Sequence, residues 1–483
     1  MLAYDIILLV SLAIYLAVCA LYLRHRAASF MHPVSLYLLF HGIVFTFRPF
    51  LARYYDFGAL YQQFGFQPSM QDKITVLLAA NLGMVTFVAV SLFVAREPLA
   101  FARDKYDDKH RTMLRKPFLI VAALLTPVAL ASLAEHWTTR ALDSSTMITD
   151  LSTGIAINTT GNGWFFTAQL VLVPIVVIFA WLYRFRLWSL IPFGIFFILR
   201  AGTGGRGPLI VAAFAIVVLY LTQQRRRWPE WRSALIMVFA AVTFTTLVSD
   251  RGAAVREIFT SEQAADTIAY LDTAPYETMD FANQEFFEYV VYAVPQRTGT
   301  YDYFLSNLQI FTEPVPRAWW PGKPVGPPIQ LFSLFDYGSP LGMTLSLPGA
   351  GWYELGWAGV IIQCGAFALL YSLLYRWMIA RREDDWSLMT YAVMIAATTI
   401  TFRDGVLITI ARSLPFYLGP IAMMWLLARA FSLPRADMLR QFASENRHLP
   451  APTEGGGSMP LTPAQRRRAM IEAMIEKAAP KRG

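Results

Sequence analysis

Three short stretches of this chain, and one arginine-bearing turn, combine residue types that can hold a phosphate or take a proton. Ala201-Gly-Thr-Gly-Gly-Arg-Gly-Pro208 leaves backbone N–H groups open, sets Arg206 among them and starts a helix at Pro208. A helix N-terminus carries partial positive charge, so an anion beside the Arg206 guanidinium is one reading. A tight glycine turn with a snorkelling arginine is the other. The spacing matches GxGxxG, but no strand precedes it, which argues against dinucleotide binding. Pro314-Val-Pro-Arg-Ala-Trp-Trp-Pro-Gly-Lys-Pro324 stiffens a loop with prolines and offers two cations, Arg317 and Lys323, beside two flat faces, Trp319 and Trp320. Such a set suits phosphates and sugar rings, and tryptophan is also common at membrane interfaces. Tyr353-Glu354 stands where the chain re-enters an apolar run, followed by Gly356 and Gly359. A carboxylate at that depth is costly without a partner or a task. Arg403-Asp404-Gly405 reads first as a structural turn, whereas Arg412, about two helical turns further, is expected to be buried and to need an anion.

The elements that position these residues are membrane helices. Hydrophobic residues make up 56% of the 483 and charged residues 15%, too apolar for a soluble chain of this length. Runs able to cross roughly 30 Å of hydrocarbon recur. The expected spans are 4–23, 33–51, 74–95, 117–135, 164–183, 187–201, 208–222, 233–249, 357–377, 387–402 and 406–431. The fold class expected is therefore an all-α integral membrane protein of about eleven helices, plus or minus one. Its parts are helices one to eight (1–249), a large polar loop (250–356), helices nine to eleven (357–433) and a tail (434–483). The tail reads as a Gly-rich linker followed by a basic helix capped at Thr462-Pro463.

Basic residues set the expected orientation. With the N-terminus outside, the short inner connections hold 18 Lys or Arg, including Arg24, Arg26, Arg184, Arg186, Arg225, Arg226, Arg227, Arg381 and Arg382. The short outer connections hold 5: Arg53, Lys73, Arg140, Arg206 and Arg403. That asymmetry places the large loop outside and the C-terminus inside. The net charge of +8 is then a topology signal, and no basic run interleaved with aromatics points to nucleic acid. Cys19 and Cys364 both fall within spans, which leaves no disulfide in the loop. No HExxH, DxD or Cys/His cluster is present, so neither a bound metal nor a cofactor is expected.

The chain resembles the bacterial O-antigen polymerases, or oligosaccharide repeat-unit polymerases, relatives of the O-antigen ligases. The resemblance lies in Gly205-Arg206-Gly207 opening a span, Pro316-Arg317 followed by Trp-Pro-x-Lys-Pro324, Tyr353-Glu-Leu-Gly-Trp-x-Gly359 and Arg403-Asp404. It implies a multi-pass protein of the bacterial inner membrane, with its active site and N-terminus periplasmic and its C-terminus cytoplasmic. It also implies transfer of a growing glycan from undecaprenyl pyrophosphate to another lipid-linked repeat unit. The donor pyrophosphate would meet Arg206, Arg317, Lys323, Arg403 and Arg412, the sugars Trp319 and Trp320, and Glu354 would be the general base. Glu285, Glu288 and Asp336 are weaker candidates for that base. A chain-length regulator and a flippase are the implied protein partners. Two alternatives stand beside this one. Ligase-type transfer to lipid A core is disfavoured because residues 250–356 contain no histidine. A lipid-linked oligosaccharide flippase would have no need of the aromatic loop.

Overall fold

A segment surrounded by hydrocarbon can satisfy its backbone only within itself, so long apolar runs between polar connections become helices. The computed structural model describes residues 2–101, 107–141, 147–149, 156–158, 163–201, 207–231, 277, 282–315, 319–320, 322–324, 326–339 and 343–434. The expected span 233–249, Arg206, Arg317 and the tail from 435 lie outside the described residues. In chain order the helices are α1 (Leu2–Arg24), α2 (Pro33–Tyr55), α3 (Ala59–Phe64), α4 (Met70–Val94), α5 (Asp107–Ala141), α6 (Trp164–Leu182), α7 (Leu187–Arg200), α8 (Gly207–Gln224), α9 (Asn283–Ala293), α10 (Leu347–Ala380), α11 (Asp385–Asp404) and α12 (Leu407–Ala430). A two-stranded antiparallel ribbon sets Ile148 opposite Ile157.

Among the described residues, 8 helices are long and apolar enough to cross a membrane: α1, α2, α4, α5, α6, α8, α10 and α12. The protein is thus a multi-pass helical membrane protein, and one of the eleven expected spans, 233–249, lies outside the residues counted. The expected span 187–201 is the shorter apolar helix α7. That at 387–402 is α11, 20 residues whose ends carry Asp385, Arg403 and Asp404 and whose body carries Thr398, Thr399 and Thr401. Most of α11 is buried against α8, α10 and α12, and a helix that faces protein needs less hydrocarbon character than one that faces lipid. The outward faces elsewhere are apolar, as in Leu9, Leu16 and Leu23 of α1 and Ile361, Leu369 and Leu373 of α10. Contiguous exposed apolar surface of this kind is what lipid contact requires.

The core lies where α4 and α10 meet. A Cβ on Gly83 would stand 2.9 Å from the Cys364 sulfur and 3.2 Å from Pro348, so glycine sets how closely the two helices approach. Tyr37 of α2 stacks on Phe87 of α4 at 4.1 Å, and Phe402 of α11 packs edge-on to both.

Connections segregate to two ends of the bundle. At one, Phe30 donates its N–H to the Arg227 carbonyl at 2.8 Å, Arg26 reaches the Arg96 carbonyl, and His110 meets Asp385 at 2.7 Å. At the other, Ser339 donates to the Phe64 carbonyl at 2.9 Å and Ser346 to the Arg403 carbonyl at 2.8 Å. The described part of the large loop therefore sits with the 55–70 and 404–407 connections, as an alternating bundle demands.

One helix is broken, and the break positions the candidate site. Ser346 caps α10 by accepting the Gly349 N–H at 3.3 Å, with Pro348 in the first turn. Leu355 then leaves the helical range (φ −158°, ψ 33°) and Gly356 takes φ +57°, ψ −137°, a conformation that side chains resist. The freed carbonyls of Tyr353 and Glu354 accept instead the N–H groups of Asp302 and Tyr303, at 3.2 and 2.9 Å. The break folds Gly351 against Gly359, and a Cβ on Gly351 would lie 2.6 Å from the Gly359 carbonyl oxygen and 2.7 Å from the Val360 Cα. Backbone atoms cannot step aside as a side chain can. Gly351→Ala is expected to cost about 1–3 kcal/mol, read as a lower thermal midpoint in detergent. Gly365→Ala, whose nearest neighbour would be 3.8 Å away, is the control and should be neutral or stabilising.

Candidate functional site

Glu354 precedes the break in α10 and is buried to 1% exposure. The loop segment that pairs with the broken helix also supplies its donors. Its Oε1 accepts the Ser306 hydroxyl and the Asn307 amide, each at 3.0 Å. Its Oε2 is buried without a hydrogen-bond donor, and the Asp302 carboxyl lies beside that of Glu354. Asp302, also buried, accepts the Ser306 N–H at 2.8 Å. Two carboxyl groups thus share one closed compartment, neither with an ion-pair partner among the described residues.

A second cluster stands one helical segment away. Leu305–Leu308 and Gln309–Thr312 form successive 3-10 and α turns that run from the Glu354 donors to Glu313. Glu313 pairs with Arg412 of α12 at 2.5 Å and lies 3.7 Å from the Lys323 ammonium. Lys323 also donates to the carbonyls of Glu313 and Val315, at 2.9 and 3.2 Å. The expectation of a buried Arg412 fails, because its side chain is 51% exposed and its anion is Glu313. Position 412 faces outward on α12, away from the packed interior. Arg403 is exposed, 4.0 Å from Asp404, while its backbone carbonyl accepts the Asn283 amide at 2.8 Å.

Trp319 and Trp320 flank the Lys323 turn, 82% and 39% exposed, with their rings available to a ligand. Arg206 and Arg317 lie outside the described residues, so the structure joins only Lys323 and Arg412 of the expected cations. The weaker carboxylates fall elsewhere. Glu285 is locked to Arg48 at 2.8 Å, both side chains nearly inaccessible. Glu288 accepts the Tyr61 hydroxyl at 2.5 Å and the Gln284 amide at 3.0 Å. Burial pushes its carboxyl above the ordinary range, Lys73 opposes that and Glu285 adds to it. Asp336 is exposed in a short turn. Among the described residues no three His, Cys, Asp or Glu side chains gather as metal ligands would.

Asp302, Ser306, Asn307 and Glu313 were not singled out from sequence. Polar loop residues are common, and only the break at Gly356 reveals that 302–308 must close over it. No family model, curated protein or solved structure matches the chain.

Proposed function

We propose that the protein is a membrane glycosyltransferase that polymerises oligosaccharide repeat units carried on undecaprenyl pyrophosphate, acting on the outer face of a bacterial inner membrane. The observation that carries this reading is the segment Leu305–Thr312, which has carboxylates at one end and a cation cluster at the other. Eight residues of mixed 3-10 and α turn span roughly 10–15 Å, enough room for about one or two sugar units between a pyrophosphate and an acceptor hydroxyl. Arg412 is five residues into α12, about 7 Å from its start, a depth from which a long side chain can reach lipid phosphates. Its exposed guanidinium suits a phosphate that arrives sideways through the membrane on a lipid. Pyrophosphate is a good leaving group, so the site mainly needs fixed positive charge where negative charge develops. Arg412 and Lys323 supply part of it, and Arg206, Arg317 and Arg403 are assigned the rest. Glu313 holds the two cations until the donor arrives. Glu354 takes the proton of the acceptor hydroxyl once segment 302–308 lifts from the broken helix, and Trp319 and Trp320 offer surfaces for the sugars.

The direct test is purified protein with lipid-linked repeat units. Longer glycans together with free undecaprenyl pyrophosphate are expected; repeat units moved across a vesicle without pyrophosphate release would mean a transporter. In cells, deletion should leave single repeat units without polymer, whereas polymer left unattached to lipid A core would mean a ligase.

Two further outcomes follow from the same reading. Reporter fusions at residue 300 should read extracytoplasmic and those at 229 and 450 cytoplasmic; the reverse at 300 removes the pyrophosphate donor from this face. Arg412→Lys and Arg317→Lys should each lose polymer at normal protein level, because an ammonium lacks the planar fork that grips phosphate. Full polymer with lysine at both positions would mean that these arginines only anchor the chain in the membrane.

A further inference from the structure

The end of the bundle opposite the loop holds a cavity of about 340 Å³ between the last turn of α10, the start of α11 and the end of α12. Two guanidinium groups line it, Arg381 and Arg429. Neither has a carboxylate within ion-pair distance among the described residues. Each lies instead over an indole, Arg381 above Trp377 at 5.5 Å and Arg429 above Trp425 at 3.7 Å. Stacking of this kind steadies the guanidinium plane while leaving its N–H edge for an anion. Two carboxylates, Glu383 and Asp384, also line the cavity. Asp384 caps α11, accepting the N–H and hydroxyl of Ser387 at 3.1 and 2.7 Å, and Glu383 faces Arg382 at 4.0 Å. Trp386 and Trp425 complete the wall, and indoles settle at the depth of lipid headgroups. One turn back from Arg429, Leu426 is exposed on α12, which continues the cavity into an apolar face.

We infer that this cavity binds the phosphate headgroup of an anionic membrane lipid, with its acyl chains lying along α12 past Leu426. The volume admits one glycerophosphate group and excludes the chains. Two arginines without acidic partners supply the charge, and the site stands at the end where Arg26, Arg96, Arg227 and Arg382 also gather. Basic pockets between membrane helices recognise anionic headgroups in this way. The inference is independent of the reaction proposed above.

The test uses the full chain in nanodiscs of phosphatidylcholine with or without phosphatidylglycerol, reading retained lipid by native mass spectrometry and the thermal midpoint. Wild type should retain phosphatidylglycerol selectively and melt higher in its presence. Arg381→Gln with Arg429→Gln should weaken that retention by about 25-fold, about fivefold for each arginine. Equal retention by the double variant, or equal retention of phosphatidylcholine by wild type, overturns the assignment. Free glycerol 3-phosphate should leave the midpoint unchanged; protection equal to that of the lipid would make the ligand a soluble phosphate and defeat the lipid reading. Both arginines are exposed, so the glutamine pair should fold. If it does not, the wild-type contrast between the two lipids decides alone.

Discussion

Arg48→Ala is expected to lower stability by about 3–5 kcal/mol, among the largest losses any single polar substitution should cause here. Arg48 Nε donates to both carboxylate oxygens of Glu285 at 2.8 Å, and the two side chains are 4% and 2% exposed. The guanidinium also stands over the Phe57 ring at 5.4 Å. Removing it strands a carboxylate that water cannot reach, and desolvation of an unpaired charge costs more than the lost attraction. The damage should spread beyond the pair. Glu285 belongs to α9, which is buried along its length and whose Asn283 holds the Arg403 carbonyl at 2.8 Å. A loosened α9 would therefore disturb the connection between α11 and α12, close to Arg412. Arg48→Met combined with Glu285→Leu fills the same space without charge and should return to within about 1 kcal/mol of wild type. Unfolding in detergent across this double-mutant cycle reads the coupling directly. A single-variant loss below about 1 kcal/mol would mean that water reaches the pair. Either way, a Glu285 tied to Arg48 is a poor general base, which narrows the search to the other carboxylates.

The helical membrane character was legible from residue types alone, because length and apolarity decide what hydrocarbon accepts. The exceptions have physical causes. Helix α11 carries four threonines and charged ends that are costly on a lipid-facing helix, and its neighbours in the bundle relieve that cost. Gly356 and Gly359 are residues that also serve close packing between membrane helices, yet with Gly351 they let this helix fold back upon itself. Glycine permits either use, and which prevails depends on partners more than forty residues away, at Asp302 and Tyr303. Arg412 shows the same limit. Its position within an apolar run was plain, but the face it takes is set by the rotation of α12 against α5 and α11, not by its own neighbours in sequence. Glu313 passed unnoticed because an acid in a polar loop carries no signal until a cation is brought against it.

Glu354→Gln should fold as well as wild type or better, while transfer falls by roughly 10²-fold or more. The two halves of that expectation have separate origins. In the structure Oε1 of Glu354 accepts from Ser306 and Asn307 at 3.0 Å, and the glutamine carbonyl oxygen can accept from both in the same way. Oε2 has no donor, and the Asp302 carboxyl lies beside that of Glu354. A glutamine amide there would donate to Asp302, replacing two opposed acceptors with a hydrogen bond worth about 1 kcal/mol or more. Structure is thus preserved at the position where basicity is removed. Glu354→Ala separates the roles from the other side: it strands Ser306 and Asn307 beside the break in α10 and should lose both stability and transfer. Thermal midpoint and pyrophosphate release measured on the same preparations tell the cases apart. A folded Glu354→Gln variant with near-normal turnover would leave Glu354 the task of pinning segment 302–308 to the broken helix. Asp302, the other carboxylate of that compartment among the described residues, would then be the base to test. If the glutamine variant failed to fold, the compartment would have to be held by charge that an amide cannot supply, and the contact between the two carboxyl groups would not be its weak point.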